Sequence, residues 1–238
     1  MPDFSVRSTE IEVMDDLNCT GNVLGQTLRE LEIINRWLGG NAITINALDR
    51  LLEKQRPLTE ITIADLGCGG GEMLRIIAAW GKKRNLKLKL VGIDANPNVI
   101  AFAKTNLSDL PDIKLQTLNI FSEEFRRQHY DIVIGTLFFH HFSNEQLVAF
   151  FRSLKEHVTL GLIINDIHRH WLAYYSIKVL TRLFSKSSMV KYDAPLSVLR
   201  AFRNDELTEI LRAGSFSDFK IWWKWAFRWQ AIAKADNS

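Results

Sequence analysis

An α/β fold, with a mostly parallel sheet covered by helices on both faces, is the class this sequence predicts, and three observations predict it. Short β-branched runs alternate with segments of helical period, the first such run breaks into a glycine cluster that opens a helix, and no internal repeat interrupts the alternation. At 238 residues the chain is one sizeable domain with room for a cap. Residues 1–55 are expected to form an N-terminal helical cap and 56–238 the main domain, with a helical lid inserted at about 168–203.

Leu24, Leu28, Leu31, Ile34 and Leu38 recur at helical spacing with Gln26, Arg29, Glu30 and Arg36 between them, and Gly39-Gly40 stops the pattern. Ile43, Ala47, Leu48, Leu51 and Leu52 continue it in a second helix. The run Ile61-Thr-Ile-Ala-Asp-Leu66 ends in Gly67-Cys-Gly-Gly-Gly71, so it reads as strand, glycine turn and a helix lasting to about Trp80. Lys87 to Ile93 reads as a strand ending at Asp94, after which Asn96-Pro97 supplies an N-cap and a first-turn proline. Ile113 to Ile120 and Tyr130 to Leu137 are two further strands. Ser143-Asn-Glu-Gln146 has capping-box form, with Leu147, Phe150, Phe151 and Leu154 marking the helix face behind it. Leu160 to Ile167 is another strand, Asn204-Asp-Glu-Leu207 opens a helix closed at Gly214, and the chain from Phe216 onward is β-rich. Ligands of parallel sheets bind beyond the carboxyl ends of the strands. The positions to interrogate are therefore Asp65 to Gly71, Asp94, Asn119, Leu137 to Phe142 and Asp166 to His170.

Hydrophobic residues make up 47% and charged residues 24%, ordinary values that exclude disordered and fibrous readings. Thirty Lys and Arg against 27 Asp and Glu leave +3, too slight a surplus to imply nucleic acid as a partner. Cys19 and Cys68 supply neither a disulfide framework nor a metal cluster and suit a reducing, cytoplasmic setting. The opening MPDFSVRSTE has no apolar stretch of secretory type. Leu160 to Phe184, the most apolar long segment, is interrupted by Asp166, His168, Arg169, Lys178 and Arg182, so no integral membrane segment is expected.

A glycine turn between strand and helix admits a ligand where a Cβ would collide, and it aims the helix N-terminus at that ligand. The dinucleotide pattern G-x-G-x-x-G fails here because Glu72 stands where the third glycine belongs, which disfavours a nicotinamide-dependent oxidoreductase. A phosphate P-loop fails too, since no Gly-Lys-Ser/Thr follows. Asp65-Leu-Gly-Cys-Gly-Gly-Gly71 matches, residue for residue, the D-L-G-C-G-x-G signature of class I S-adenosylmethionine-dependent methyltransferases. The chain resembles that family from about Ile61 to Lys234, with Val91-Gly-Ile-Asp94, Tyr130-Asp-Ile-Val-Ile-Gly135 and Ala213-Gly-Ser-Phe216 carrying the rest of the likeness. The resemblance implies a Rossmann-like, seven-stranded sheet with an antiparallel C-terminal hairpin, and S-adenosyl-L-methionine as cofactor. It implies roles as well. Asp94, which ends its strand 27 positions beyond Gly67, accepts hydrogen bonds from both ribose hydroxyls, with Ala95 beside it. Asp65 orients the loop of Gly67, Cys68, Gly69 and Gly71 and meets the cofactor's ammonium mostly indirectly. Asn119 replaces an aspartate that accepts from the adenine amino group, Ile120 offers its backbone N–H, and Leu137 lies by the cofactor after the fourth strand.

Methyl transfer from a sulfonium is a single in-line displacement, so the enzyme has to align the nucleophile and take its proton, with no metal required. Histidine, with an ordinary pKa of ~6.5, suits that base role. Phe138-Phe-His-His-Phe142 and Asp166-Ile-His-Arg-His170 present histidines after the fourth and fifth strands. His168, flanked by Asp166 and Arg169, is the expected base, and His141, at the histidine of the family's L-h-H-l pattern, is the alternative. His140 and His170 are expected to be solvent-facing or structural. Thr136-Leu-Phe-Phe139 replaces the Asn/Asp-Pro-Pro-Tyr motif of adenine N6 and glutamine methyltransferases, and the Pro-Cys of cytosine C5 enzymes is missing. A small-molecule substrate is expected.

Trp171 to Phe184 is apolar on more than one helical face, as a helix lying over the pocket would be, and with Leu24 to Leu38 it builds a lipophilic lid. Asp166 to His170 and Leu196-Ser-Val-Leu-Arg-Ala-Phe202 also resemble bacterial enzymes that methylate phenolic polyketides and quinone-like compounds. The expected acceptor is a hydroxyl on a small apolar, aromatic or phenolic molecule. N- or C-methylation and a non-catalytic cofactor-binding subunit are the alternatives. Near the end, Ile221, Trp223, Trp225, Phe227 and Trp229 alternate with Lys220, Trp222, Lys224 and Arg228, which predicts a half-buried antiparallel ribbon rather than a membrane-surface segment.

Overall fold

The apolar runs build the sheet. In the computed structural model, which describes residues 2–53 and 59–235, β1 (Ile61–Leu66), β2 (Leu88–Asp94), β3 (Lys114–Thr117), β4 (Tyr130–Thr136) and β5 (Val158–Ile167) run parallel. β6 (Phe219–Lys224) and β7 (Arg228–Lys234) form the antiparallel hairpin, with β7 inserted between β5 and β6. The order across the seven strands is β3-β2-β1-β4-β5-β7-β6, the sheet the sequence predicts. β1 shows why such strands read as apolar runs. Ile61 and Ile63 enter the core on one face while Ala64 and Leu66 enter it on the other, so both faces of the strand are covered.

α2 (Gly40–Leu52), α3 (Glu72–Lys83) and α4 (Pro97–Asn106) cover the first face through Ala47, Leu48, Leu51, Leu74, Ile77 and Ile100. α5 (Glu123–Arg126), α6 (Asn144–Leu154) and α9 (Asn204–Ala213) cover the other through Phe125, Leu147, Phe150, Phe151, Leu207 and Ile210. The predicted caps form: Asn96 Oδ1 accepts from Asn98 N at 2.8 Å, and Ser143 and Gln146 hydrogen-bond reciprocally at the start of α6. α1 (Gly21–Trp37), α7 (Trp171–Phe184) and α8 (Ser188–Arg200) pack beside one another, α1 and α7 each against α8. Among the described residues no helix is long and apolar enough to cross a membrane.

The boundary expected between residues 55 and 56 lies outside the described residues. α2 packs on the sheet core, tied by Gln230 Nε2 to Ile43 O at 2.6 Å and by Asn165 Nδ2 to Gly40 O at 2.8 Å. β3 is shorter than expected and ends at Thr117: Leu118 N makes the last ladder bond, to Asp94 O at 2.9 Å, and Asn119 then starts a side-chain turn to Phe121 N. In the C-terminal ribbon the alternation holds across the turn at residues 225–227, with Trp223 opposite Trp229 and Lys224 opposite Arg228, but burial follows strand position: β7, between β5 and β6, buries both Arg228 and Trp229, while Trp223 on the edge strand and Trp225 in the turn are exposed.

Candidate active site

Strand order reverses between β1 and β4, and a cavity of about 930 Å³ opens over their carboxyl ends. That is near the top of the ~300 to 1,000 Å³ range for ligand sites, room for a cofactor and an acceptor together. Asp65, Gly67, Cys68, Gly69, Asp94, Ala95, Asn119, Ile120 and Leu137 all line it, so the sequence-predicted cofactor residues converge. Gly71 does not. It is the left-handed N-cap of α3 (φ 82°), and a Cβ there would lie 2.5 Å from Leu107 Cδ1, so its part is to turn the loop. Gly69 (φ 51°) differs, since a Cβ there would meet only Leu28 Cδ2 at 3.8 Å. The loop therefore leaves a cradle on the cavity side that a ligand group can occupy. Asn119 Oδ1 already accepts from Phe121 N at 2.9 Å, so only its remaining lone pair can serve a ligand.

The electrostatics of this half fit a cation. Asp94 accepts from Asn96 N at 2.9 Å and from the Gly69 and Ala95 N–H groups, yet burial outweighs these bonds and raises its pKa. Asp65 is 2% exposed. Burial first, and the neighbouring Asp94 second, push its carboxyl up to about 7. Ionising it therefore costs roughly 4 kcal/mol more than in water, a cost that a positive ligand group beside it offsets. The ammonium and sulfonium of S-adenosylmethionine meet that requirement.

The turn after β4, which also lines the cavity, presents His140 and His141. His141 Nδ1 lies 2.7 Å from Asp15 Oδ1 and 3.9 Å from Glu12 Oε2. Burial lowers the pKa of this imidazole, but contact with Asp15 and the charges of Glu12 and Asp15 outweigh it, so the net shift is upward. His140 is not solvent-facing. It is buried, its Nδ1 lies 2.7 Å from Asp166 Oδ1, and its Nε2 looks toward Glu12 Oε1 at 3.6 Å. Asp166 also accepts from Phe139 N and His140 N at 2.9 and 3.2 Å. Burial alone would raise the Asp166 pKa; the charge and hydrogen bond of His140 overturn that and lower it. Arg200 ties the turn to the N-terminal segment, donating to His141 O at 2.5 Å and meeting Asp15 Oδ2 at 2.7 Å. The atoms of Glu12, His140 and His141 lie within 4.8 Å of one another, a spacing open to a metal ion, but the Arg200 guanidinium already supplies positive charge 3.9 Å from Glu12 Oε1.

His168 lies elsewhere. It is not on the cavity wall: its N–H donates to Phe227 O at 2.8 Å and its ring packs 4.7 Å from that of Trp229. Burial, and then the charges of His170 and Arg169, pull its pKa down to about 4, too weak a base for a hydroxyl. What the Asp166 to His170 segment builds instead is a pair of anchors, Asp166 under His140 and Arg169 under the N-terminus. The buried Arg169 donates to Phe4 O, Ser5 O and Ala201 O and binds both oxygens of Glu206, at 2.9 and 2.5 Å. Arg169→Ala is expected to lower stability by about 3 kcal/mol, since it strands Glu206 and three carbonyls. Urea denaturation of the two proteins measures it, and an unchanged midpoint contradicts the anchoring role.

Sequence reasoning missed Glu12, Asp15 and Arg200; of the two placements it allowed His140, solvent-facing or structural, the buried contact with Asp166 is the structural one. β4 and β5 are neighbours, which brings the turn after β4, with His140, beside Asp166 near the end of β5. Glu12 and Asp15 lie in a stretch with no periodicity and carried no such signal.

A family model described as a methyltransferase domain matches residues 63–161, from β1 into β5. No curated protein sequence matches the chain. Among solved structures the chain is similar to the plantazolicin methyltransferase BpumL in complex with SAH, with TM-score 0.63 and 19% identity over 90% of this chain and 95% of that one. It is similar to the CurJ carbon methyltransferase, with TM-score 0.60 and 16% identity over 83% of this chain and 54% of that one. It is also similar to magnesium protoporphyrin IX methyltransferase (ChlM) from Synechocystis PCC 6803 with bound SAH, with TM-score 0.55 and 16% identity over 85% and 84%. At these identities the likeness is one of fold.

Proposed function

We propose that this S-adenosylmethionine-dependent methyltransferase places its methyl group on a hydroxyl of a small apolar, aromatic or phenolic molecule. The observation that carries the reading is the His141 and Asp15 pair on the wall of the cavity that the glycine loop also lines, set among Phe138, Phe142, Ile177 and Val198. Bound S-adenosylmethionine supplies an electrophilic methyl group on a sulfonium. The chain's own residues do the rest. Asp94 holds the ribose hydroxyls, and Asp65 balances positive charge beside the loop. Apolar walls fix the acceptor by burying its rings and exclude water from the reacting oxygen. His141 replaces His168 as the base. Its Nδ1 is held against Asp15, which leaves Nε2 to take the hydroxyl proton, and the carboxylate stabilises the imidazolium that results. His140 and Asp166 act as a positioning pair that fixes the turn carrying His141.

The Asp65 carboxyl gives this reading a pH signature. Its pKa in the folded protein lies above the ordinary value, so near and below pH 7 it holds a proton that a cationic ligand must displace. Cofactor affinity is expected to fall as pH drops from ~8 to 6, approaching tenfold per unit below ~7, with proton release on binding. Calorimetry in buffers of differing ionisation enthalpy reads both, and Asp65→Asn should flatten the profile. A flat profile for the parent would refute the charge argument. The acceptor class is tested by turnover across phenols, catechols and hydroquinones beside polar amines and peptides. Aromatic hydroxyls should be methylated fastest, and a preference for the amines would overturn the reading.

A further inference from the structure

The apolar helix α7 has a face that none of the described residues covers. Of the α7 residues only Ala173 and Thr181 are buried. Trp171, Leu172, Tyr175, Val179 and Leu183 are exposed, and at helical pitch they share roughly 120° of arc. Lys178 and Arg182 run along one edge of that arc. Residues 171–192 hold four cations, Lys178, Arg182, Lys186 and Lys191, and no Asp or Glu. The β6–β7 turn extends the patch. Phe227 stacks on His170 at 5.2 Å, His170 contacts Trp171 at 5.7 Å, and Trp223 and Trp225 stand exposed beside them. Leu180 and Trp225 line the cavity and are also 40% and 72% exposed, so the cavity opens through this patch.

Aromatic and aliphatic side chains on one face, basic residues at its edge and an acid-free stretch are what a helix lying in a lipid interface needs, because the apolar groups enter the acyl boundary while the cations meet anionic headgroups. A second copy of this chain is a poorer occupant, since pairing the face with itself sets cations against cations with no carboxylate between them. We propose that α7 and the β6–β7 turn seat the enzyme on an anionic bilayer surface and that the cavity draws its apolar acceptor from there. The second half rests on the proposed function; the first does not.

The test uses the full-length protein without acceptor, co-sedimented with phosphatidylcholine vesicles containing about 30% phosphatidylglycerol, and with pure phosphatidylcholine vesicles. The parent should bind the anionic vesicles, at least about tenfold more strongly than the neutral ones, and be released by high salt. Val179→Glu with Leu183→Glu, neither on the cavity wall, should weaken that binding about tenfold or more while S-adenosylhomocysteine binding stays at the parental level, which shows the variant is folded. Failure of the parent to bind anionic vesicles, or undiminished binding by the variant, overturns the proposal. So does a parental dimer that the same substitutions dissociate without vesicle binding, which would make the face a self-interface. Acceptor turnover plays no part in these readouts, so a failed acceptor screen leaves the docking result intact.

Discussion

Asp94→Ala is expected to weaken S-adenosylmethionine binding by at least about a hundredfold, because two ribose hydroxyls lose a charged acceptor worth ~1.5 to 3 kcal/mol each. The loop suffers as well. In the structure the same carboxylate accepts from Asn96 N at 2.9 Å and from the Gly69 and Ala95 N–H groups, so its removal frees the glycine turn that shapes the cradle. Asp94→Asn keeps the shape and one acceptor oxygen and should lose about tenfold. It should also lower the Asp65 pKa, since Asp94 is the second cause holding that group up. Calorimetric titration with S-adenosylhomocysteine measures all three proteins. Parental affinity in both folded variants would reduce Asp94 to a cap of the following helix.

His141→Ala should lower turnover ~10²- to 10⁴-fold with cofactor affinity nearly unchanged, the signature of losing a base rather than a binding contact. His168→Ala should retain turnover, because His168 is off the cavity wall and its pKa of about 4 leaves it a weak base. The pH dependence carries a sign. Only neutral imidazole accepts a proton, and the His141 pKa is raised, so the parental rate should climb with pH through a titration above the ordinary histidine value and then flatten. Asp15→Asn removes the contact and charge that raise it, so the rise should move to lower pH. A weakly acidic alcohol or hydroquinone is the acceptor to use, since an acidic phenol ionises unaided. An inactive His168→Ala beside an active His141→Ala would return the base to the end of β5.

The glycine-loop side of the cavity was legible because each of its signals is local. The turn Gly67 to Gly71 needs residues without a Cβ, Asp94 ends an apolar run, and Asn96-Pro97 announces a helix start. The seven-stranded, mostly parallel sheet with its antiparallel hairpin was legible through its resemblance to a known family, and the helix over Trp171 to Phe184 through its apolar excess. The histidine side was not, because it is assembled from distant pieces. Its Asp15 meets His141 only after the N-terminal segment folds back, fastened by Arg200 and by Arg169. His168 looked like the base on account of its neighbours in sequence, yet it lies just past the end of β5 and packs against Trp229, off the cavity wall. The C-terminal tryptophans divide by strand position, which a period-2 pattern does not supply: Trp229 lies in β7 between two strands and is buried, while Trp223 lies in the edge strand β6 and is exposed.

The most direct measurement gives the enzyme S-adenosylmethionine with a carbon-13 methyl group and a hydroquinone, and reads the methylated product by nuclear magnetic resonance. The account predicts one labelled signal in the methoxy region, growing with the wild-type protein and with His168→Ala and nearly absent with His141→Ala. A labelled signal in the aryl-methyl or N-methyl region, or a methoxy signal that survives His141→Ala, would contradict it.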